Sequence, residues 1–244
     1  MQIRGRAPIM LARTRLWQLH RRCNAGDTRR SHHKPYTSNV PKPRATNREV
    51  EVKIRIDDIG VIYARLARAG AKMHRRVLEQ NALFDTAGAS VRRSGRVVRL
   101  RIETPVSHDR KPNGKQRAIL TSKSPVPQSA TARAKPSRYK ERLEREVIVV
   151  TGGDLRAQLV SLGFRLRFRY EKYRTSYRLP GVHIELDETP VGTYLELEGT
   201  PRSIEAGARK LGFTPADYRA ETYWGVYVAD CKRRGVRPTN MLFR

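Results

Sequence analysis

Residues 48 to 56 read Arg-Glu-Val-Glu-Val-Lys-Ile-Arg-Ile. In an extended chain successive side chains point to opposite faces, so Glu49, Glu51, Lys53 and Arg55 share one face and Val50, Val52, Ile54 and Ile56 the other. A helix would mix the two sets around its cylinder, because its period is 3.6 residues. The segment is therefore a strand with one apolar and one wholly charged face, and the pattern returns. Arg99, Arg101 and Glu103 alternate with Val98, Leu100 and Ile102, and Arg142, Glu144 and Glu146 alternate within 140–150. His183, Glu185 and Asp187 alternate with Val182, Ile184 and Leu186, and Tyr194, Glu196 and Glu198 flank Leu195 and Leu197. One such strand reads best as part of a solvated sheet whose charges pair weakly across strands. With Lys172 and Arg174 alternating in 165–179, six such strands read differently, because a solvated face mixes Thr, Ser, Gln and Lys, whereas here Glu pairs and Arg pairs are segregated strand by strand.

Between these strands the chain punctuates itself. Asp57 or Asp58 caps a helical pattern through Ile59, Leu66 and Ala69 that Gly70 ends. A hairpin is expected around 75–94, then strands at 97–103 and 118–123, separated by polar loops at 104–116 and 124–137. The 140–150 strand is followed by a helix from Asp154 to Leu162, a basic hairpin from Arg165 to Leu179 and two more strands. Glu49-x-Glu51 thus recurs as Glu144-x-Glu146, each opening a strand, helix and multistrand unit, which suggests an internal duplication. The C-terminus reads as helical from Pro201 to Leu211, and again from Thr214, as N-cap before Pro215, to Arg234. The expected fold is α+β: a mostly antiparallel, eight-stranded barrel with flanking helices and a C-terminal helical segment. Small barrels normally fill their interior with apolar side chains, so a lumen lined by these Glu, Lys and Arg residues would be a wet tunnel.

Charge narrows the partners. The 244 residues carry a net charge of +28, and residues 1–47 hold eleven Lys and Arg against the single acid Asp27. That segment reads as a disordered basic arm, followed by a domain over 48–200 and packed helices over 201–244. Its Arg-rich start resembles a mitochondrial transit peptide, and Met10 is an equally good alternative start. A basic chain invites nucleic acid, but in the folded part the acids are ordered with the bases, which leaves only the arm for that role. No run of about 20 apolar residues is present, which excludes a membrane helix. Cys23 and Cys231 form neither a disulfide framework nor a thiolate metal site, so a cytoplasmic setting is expected. Oligomeric state is not readable, with a homodimer kept open.

Carboxylates two apart on a strand lie about 7 Å from each other and can share a cation. Glu49/Glu51, Glu144/Glu146, Glu185/Asp187 and Glu196/Glu198 are four such pairs. Oxygen donors without His or Cys favour Mg2+ or Mn2+. Lys53, Arg99, Arg101, Lys123, Arg142, Lys172 and Arg174 share matching alternations and suit polyphosphate oxygens. There is no Gly-rich phosphate loop, so side chains would have to hold the phosphates.

Glu49-Val-Glu51-Val-Lys53 resembles the E-x-E-x-K signature of the CYTH superfamily, the triphosphate tunnel metalloenzymes that include class IV adenylate cyclases and thiamine triphosphatases. Later blocks follow in the family's order: Arg99-Leu-Arg101, Leu120-Thr-Ser-Lys123, Lys140-x-Arg142-x-Glu144-x-Glu146, Glu171-Lys172-Tyr-Arg174, Glu185-Leu-Asp187-Glu188 and Gly192-Thr-Tyr-Leu-Glu196-Leu-Glu198-Gly199. The resemblance implies an antiparallel tunnel with inward charges. It implies that Glu49, Glu51, Asp187, Glu196 and Glu198 hold the divalent metal, and that Lys53, Arg99, Arg101, Lys123, Arg142, Lys172 and Arg174 grip the triphosphate. Glu144 and Glu146 are the catalytic candidates, as water-orienting bases, ligands of a second metal or charge balance. The implied reaction is conversion of ATP to cAMP and pyrophosphate, or hydrolysis of thiamine triphosphate or tripolyphosphate at the same site. The long basic loops, Ser122 and the arm depart from the family pattern and bear on substrate choice. A different class of reading is a non-enzymatic basic module that binds polyphosphate or RNA. His183 reads as a packing or hydrogen-bonding residue, and Tyr218, Tyr223, Trp224 and Tyr227 as core anchors of a helix.

Overall fold

The computed structural model describes residues 47–127, 138–149 and 155–244. The arm read over 1–47, apart from Asn47, lies outside these residues, as do 128–137 of the second loop and Asp154. The alternating segments form β1 (Asn47–Ile56), β3 (Val97–Pro105), β4 (Arg117–Pro125), β5 (Lys140–Val149), β7 (Val182–Thr189) and β8 (Gly192–Gly199). Two segments expected as hairpins are single long strands instead, β2 (Lys72–Thr86) and β6 (Phe164–Leu179). They run antiparallel to each other from Lys72 opposite Arg178 to Thr86 opposite Phe164. The partner that β2 does turn back onto is β3, reached through the short helix α2 (Ser90–Arg93).

The strand order is β5-β4-β3-β2-β6-β7-β8-β1, and β5 pairs again with β1, so eight antiparallel strands close into a barrel. A two-residue strand, β9 (Tyr218–Arg219), lies outside the ring against Ile54 and Lys53. That pairing corrects the continuous helix read from Thr214. Pro215–Asp217 makes one tight turn, extended Tyr218 and Arg219 bond to β1, and α5 (Tyr223–Arg233) starts afresh with Thr222 as its cap. The order strand, helix, three strands occurs twice, with α1 (Ile59–Arg68) after β1 and α3 (Leu155–Ser161) after β5.

The apolar strand faces point outward and are covered. Val52, Ile54, Ile184, Leu186, Leu195 and Leu197 pack with Ile62 and Leu66 of α1 and with Ile204 and Ala208 of α4 (Pro201–Lys210). Each such side chain contributes about 1.5–3 kcal/mol by leaving water, so the hydrophobic core wraps the outside of the ring. The covering helices are fixed locally. Asp58 accepts from the Gly60 and Val61 amides at 2.7 and 3.0 Å, and Thr200 accepts from the Ser203 amide at 3.2 Å. Where α4 crosses β8 the fit is tight. A Cβ on Gly199 would stand 2.8 Å from the Gly181 carbonyl oxygen and 2.7 Å from Ser203 Oγ. Gly199→Ala is therefore expected to lose about 1–3 kcal/mol in a denaturant melt, whereas an unchanged midpoint would show that α4 can move aside.

Candidate functional site

The other strand faces point into the ring, and two connected groups of charges occupy it. In the deeper group Lys53 Nζ lies 2.7 Å from Glu196, and Arg174 spans Asp187 with Nε at 2.7 Å and Nη2 at 2.6 Å. Arg174 also contacts Glu196. Lys172 reaches Asp187 at 2.8 Å and Glu79 at 3.5 Å, and Arg101 reaches Glu79 at 3.0 Å. Arg101 Nε is further oriented by Asn81 Oδ1 at 3.1 Å. In the second group Lys123 bridges Glu49 at 2.6 Å and Glu144 at 3.2 Å, and Arg99 lies 3.7 Å from both Glu144 and Glu146. Thr121 donates its hydroxyl to Glu146 at 3.0 Å, while Lys140 pairs with Glu51.

Burial makes these pairs strongly interdependent. Desolvation alone would raise the Glu79 carboxyl, but Arg101, Lys172 and Arg174 outweigh it and hold the group far below the carboxylate range. Glu196 is likewise held low, against its burial, by Lys53, Lys172 and Arg174. Lys53 and Arg174 stay charged despite desolvation, because Glu196 faces the first and Asp187 the second. Glu51 is held low by Lys140, Lys123 and Lys53, against its burial and Glu196. Two carboxylates go the other way. Glu49 is raised by burial in spite of Lys123. Glu198, opposite Glu51 across the β1–β8 pair, forms no ion pair with a described residue, and burial with the charges of Glu49, Glu144 and Glu51 pushes it up to about 7 in spite of Lys123.

Most residues expected from sequence thus meet in one lumen, but not in one cluster. Asp187 and Glu196 are committed to Lys172, Arg174 and Lys53, while Glu198 feels the charges of Glu49, Glu144 and Glu51, and Glu51 that of Glu196. Among the described residues no three His, Cys, Asp or Glu side chains stand ready-grouped for a metal ion. Arg142 lies opposite Glu49 on the neighbouring strand but donates to the Gly95 carbonyl at 3.1 Å, at the edge of the network. His183 is exposed.

Four lumen residues were not anticipated. Glu79 and Asn81 were hidden by the hairpin reading, although they share one face of β2 with Val77 and alternate with Leu78, Gln80 and Ala82. Thr121 is buried between Arg99 and Glu146. Tyr223 reads as a helical core anchor, yet its hydroxyl donates to Asp187 and its ring carries Lys53 Nζ at 3.9 Å from the centroid.

A model of the CYTH domain matches residues 47–218. Among solved structures, a Vibrio parahaemolyticus protein provisionally assigned as an adenylate cyclase is similar, with a TM-score of 0.57 at 15% identity over 74% of this chain and 98% of its own. Two Pyrococcus horikoshii proteins have TM-scores of 0.58 and 0.56 at 22% and 23% identity, covering 75% and 72% of this chain and 99% and 96% of theirs. At these identities the likeness is one of fold. A search of curated protein sequences finds no relative at a significant level.

Proposed function

Because the chain belongs to the CYTH domain family, we propose that it is a divalent-metal-dependent enzyme acting on a triphosphate inside the barrel. The observation that carries this reading is the lumen itself: Lys53, Arg99, Arg101, Lys123, Lys172 and Arg174 all point into one closed ring. Buried ion pairs are a poor means of stabilising a barrel, since apolar residues of like volume do as well or better. A row of oriented cations is a good means of gripping phosphates, with Arg supplying a planar fork and Lys a point charge.

The residues fit a hard divalent cation. Their donors are carboxylate oxygens, and Glu198 is a carboxylate with neighbouring negative charge and no ion pair of its own among the described residues, since Lys123, the cation that acts on it, is bonded to Glu49 and Glu144. Glu49, Glu51 and Glu198 would hold the ion, with Glu49 and Glu51 turning from Lys123 and Lys140, and Glu196 and Asp187 adjoining. When bound, it would polarise phosphoryl oxygens. Lys53, Lys172 and Arg174 bind the chain at its buried end, and Arg101, Arg99 and Lys123 along its length, so the charge of the leaving phosphate falls on fixed cations. Arg142 would complete the set at the edge. Glu144 and Glu146, held by Lys123 and Thr121, orient the attacking hydroxyl and take its proton as its oxygen bonds to phosphorus and the bridging P–O bond breaks.

With water as the attacking group the products are those of a triphosphatase; with the ribose hydroxyl of ATP they are cAMP and pyrophosphate, the reaction implied by resemblance to class IV adenylate cyclases. The test is purified protein with ATP, thiamine triphosphate and tripolyphosphate, each with Mg2+ or Mn2+, scoring cAMP and phosphate separately. Metal-dependent turnover of at least one substrate is expected, and its chelator-sensitive product identifies the reaction. Absence of both products with all three substrates and both metals would overturn the enzyme reading in favour of a binding module.

A further inference from the structure

One end of the lumen is filled by aromatic rings. Tyr223, the first residue of α5, is aimed inward by the Thr222 cap, whose hydroxyl accepts from the Gly225 amide at 3.2 Å. Its ring stacks on Tyr170 of β6 at 5.9 Å between centroids and meets Tyr194 of β8 edge-on at 5.9 Å. Behind them, Phe168 packs against Trp224 at 4.8 Å and Tyr227 at 5.7 Å. On its lumen side the Tyr223 ring faces Lys53 at 3.9 Å and Lys172 at 4.6 Å, and its hydroxyl donates to Asp187. Burial, with the charges of Asp187 and Glu196, keeps that hydroxyl protonated. Away from this end the lumen opens: the side chains of Glu79 and Asp187 are 0% exposed, those of Glu185 and Glu146 19% and 25%.

We propose that Tyr223 is the end stop of the tunnel and makes the site specific for phosphate chains with a free, unesterified terminal phosphate. This rests on the triphosphate reading above and adds which end of the ligand goes in. A chain entering from the Glu185 and Glu146 side runs its last phosphate against the ring, where Lys53, Lys172 and Arg174 converge. Even a methyl group on that phosphate would have to occupy the volume of the ring. A tyrosine serving only to pack α5 would not distinguish a capped terminus from a free one.

The experiment compares the Kd of tripolyphosphate with that of P1,P3-dimethyl triphosphate by calorimetry in Mg2+, for wild type, Tyr223→Phe, Tyr223→Leu and Tyr223→Ala. The diester carries less charge and binds more weakly to every variant, so the informative quantity is the ratio of the two constants. Relative to wild type that ratio is expected to shrink by about tenfold or more in the Ala and Leu variants and to stay unchanged in Phe, which keeps the ring. If loss of the ring prevents folding of the Ala variant, Leu decides the matter with an apolar side chain still on the aromatic cluster. An equal ratio in wild type and the Leu variant, with tripolyphosphate still bound, would remove the stop and leave the triphosphate reading intact. Failure of wild type to bind tripolyphosphate would overturn that reading, and the stop with it.

Discussion

Arg174→Met is expected to cost the fold about 3–5 kcal/mol, the range found when one partner of a buried ion pair is removed. Its guanidinium holds Asp187 through two bonds of 2.7 and 2.6 Å, contacts Glu196 and lies 3.7 Å from Glu79. Methionine fills similar volume but leaves those carboxylates to Lys172, Lys53 and Arg101 alone. Against a total stability of about 5–15 kcal/mol, that loss is large. Arg174→Lys restores charge without the fork and should fall between the two. Adding Glu196→Gln to Arg174→Met should return part of the loss, because one of the stranded charges is then gone. Chemical melts of the four proteins check this, with tripolyphosphate binding on those that fold. A midpoint shift below about 1 kcal/mol in Arg174→Met would mean that water reaches the lumen and screens these charges as it does on a surface.

That network illustrates which parts of the structure the sequence carries openly. Period-two alternation states which side chains share a face, so Lys53, Arg101, Arg174 and Glu196 were identifiable one strand at a time. Which acid meets which base depends on the order and stagger of the strands, and a barrel couples those to strand tilt around the whole ring. Asp187 and Glu196 are therefore legible as inward carboxylates like Glu49, and only ring closure shows that Arg174 stands between them. The two misread hairpins have the same origin. β2 and β6 have 15 and 16 residues, longer than the usual 3–10 of a strand, and tertiary pairing keeps them extended, with each other throughout, with β3 at Asn81 and with the Met241 segment at Glu171.

At the C-terminus the local signals were real but incomplete. Thr214 and Asp217 do form a capping box, the Thr214 amide donating to Asp217 at 2.7 Å. The helix it starts ends after one turn because Tyr218 and Arg219 gain backbone partners on β1. This break resets the helical phase and places Tyr223 in the first turn of α5, where it packs among the core aromatics as expected and also faces the lumen. Tertiary hydrogen bonding of two residues thus decided the placement of a residue that touches the site.

Glu198→Gln is expected to stabilise the metal-free protein while abolishing metal-dependent turnover. The carboxyl titrates at 4.5 when unperturbed and at about 7 in the folded state, raised by burial and then by Glu49, Glu144 and Glu51. Between those two values the folded protein retains a proton that the unfolded chain has lost, so stability falls as pH rises from about 4.5 to about 7 and then levels off. The gap has a ceiling of about 3 kcal/mol, and the half-buried position of Glu198 brings the expected penalty to about 1–3 kcal/mol. Glutamine keeps the shape without the charge. Its variant should melt higher than wild type at pH 8, by about 2–4 °C per kcal/mol recovered, with the slope between pH 5 and 7 flattened. Mg2+ should raise the melting temperature of wild type by mass action and leave that of the variant nearly unmoved. Glu49→Gln separates charge repulsion from metal binding. Its carboxylate pairs with Lys123 at 2.6 Å, so removing it relieves some repulsion but loosens that lysine, which keeps Glu144 at 3.2 Å. No stabilisation is expected there, although turnover should fall in both variants by about 100-fold or more, as loss of several kcal/mol of transition-state charge stabilisation requires. Unchanged turnover in Glu198→Gln, with a Mg2+ response equal to wild type, would take Glu198 out of the metal site and leave its raised titration a matter of burial alone.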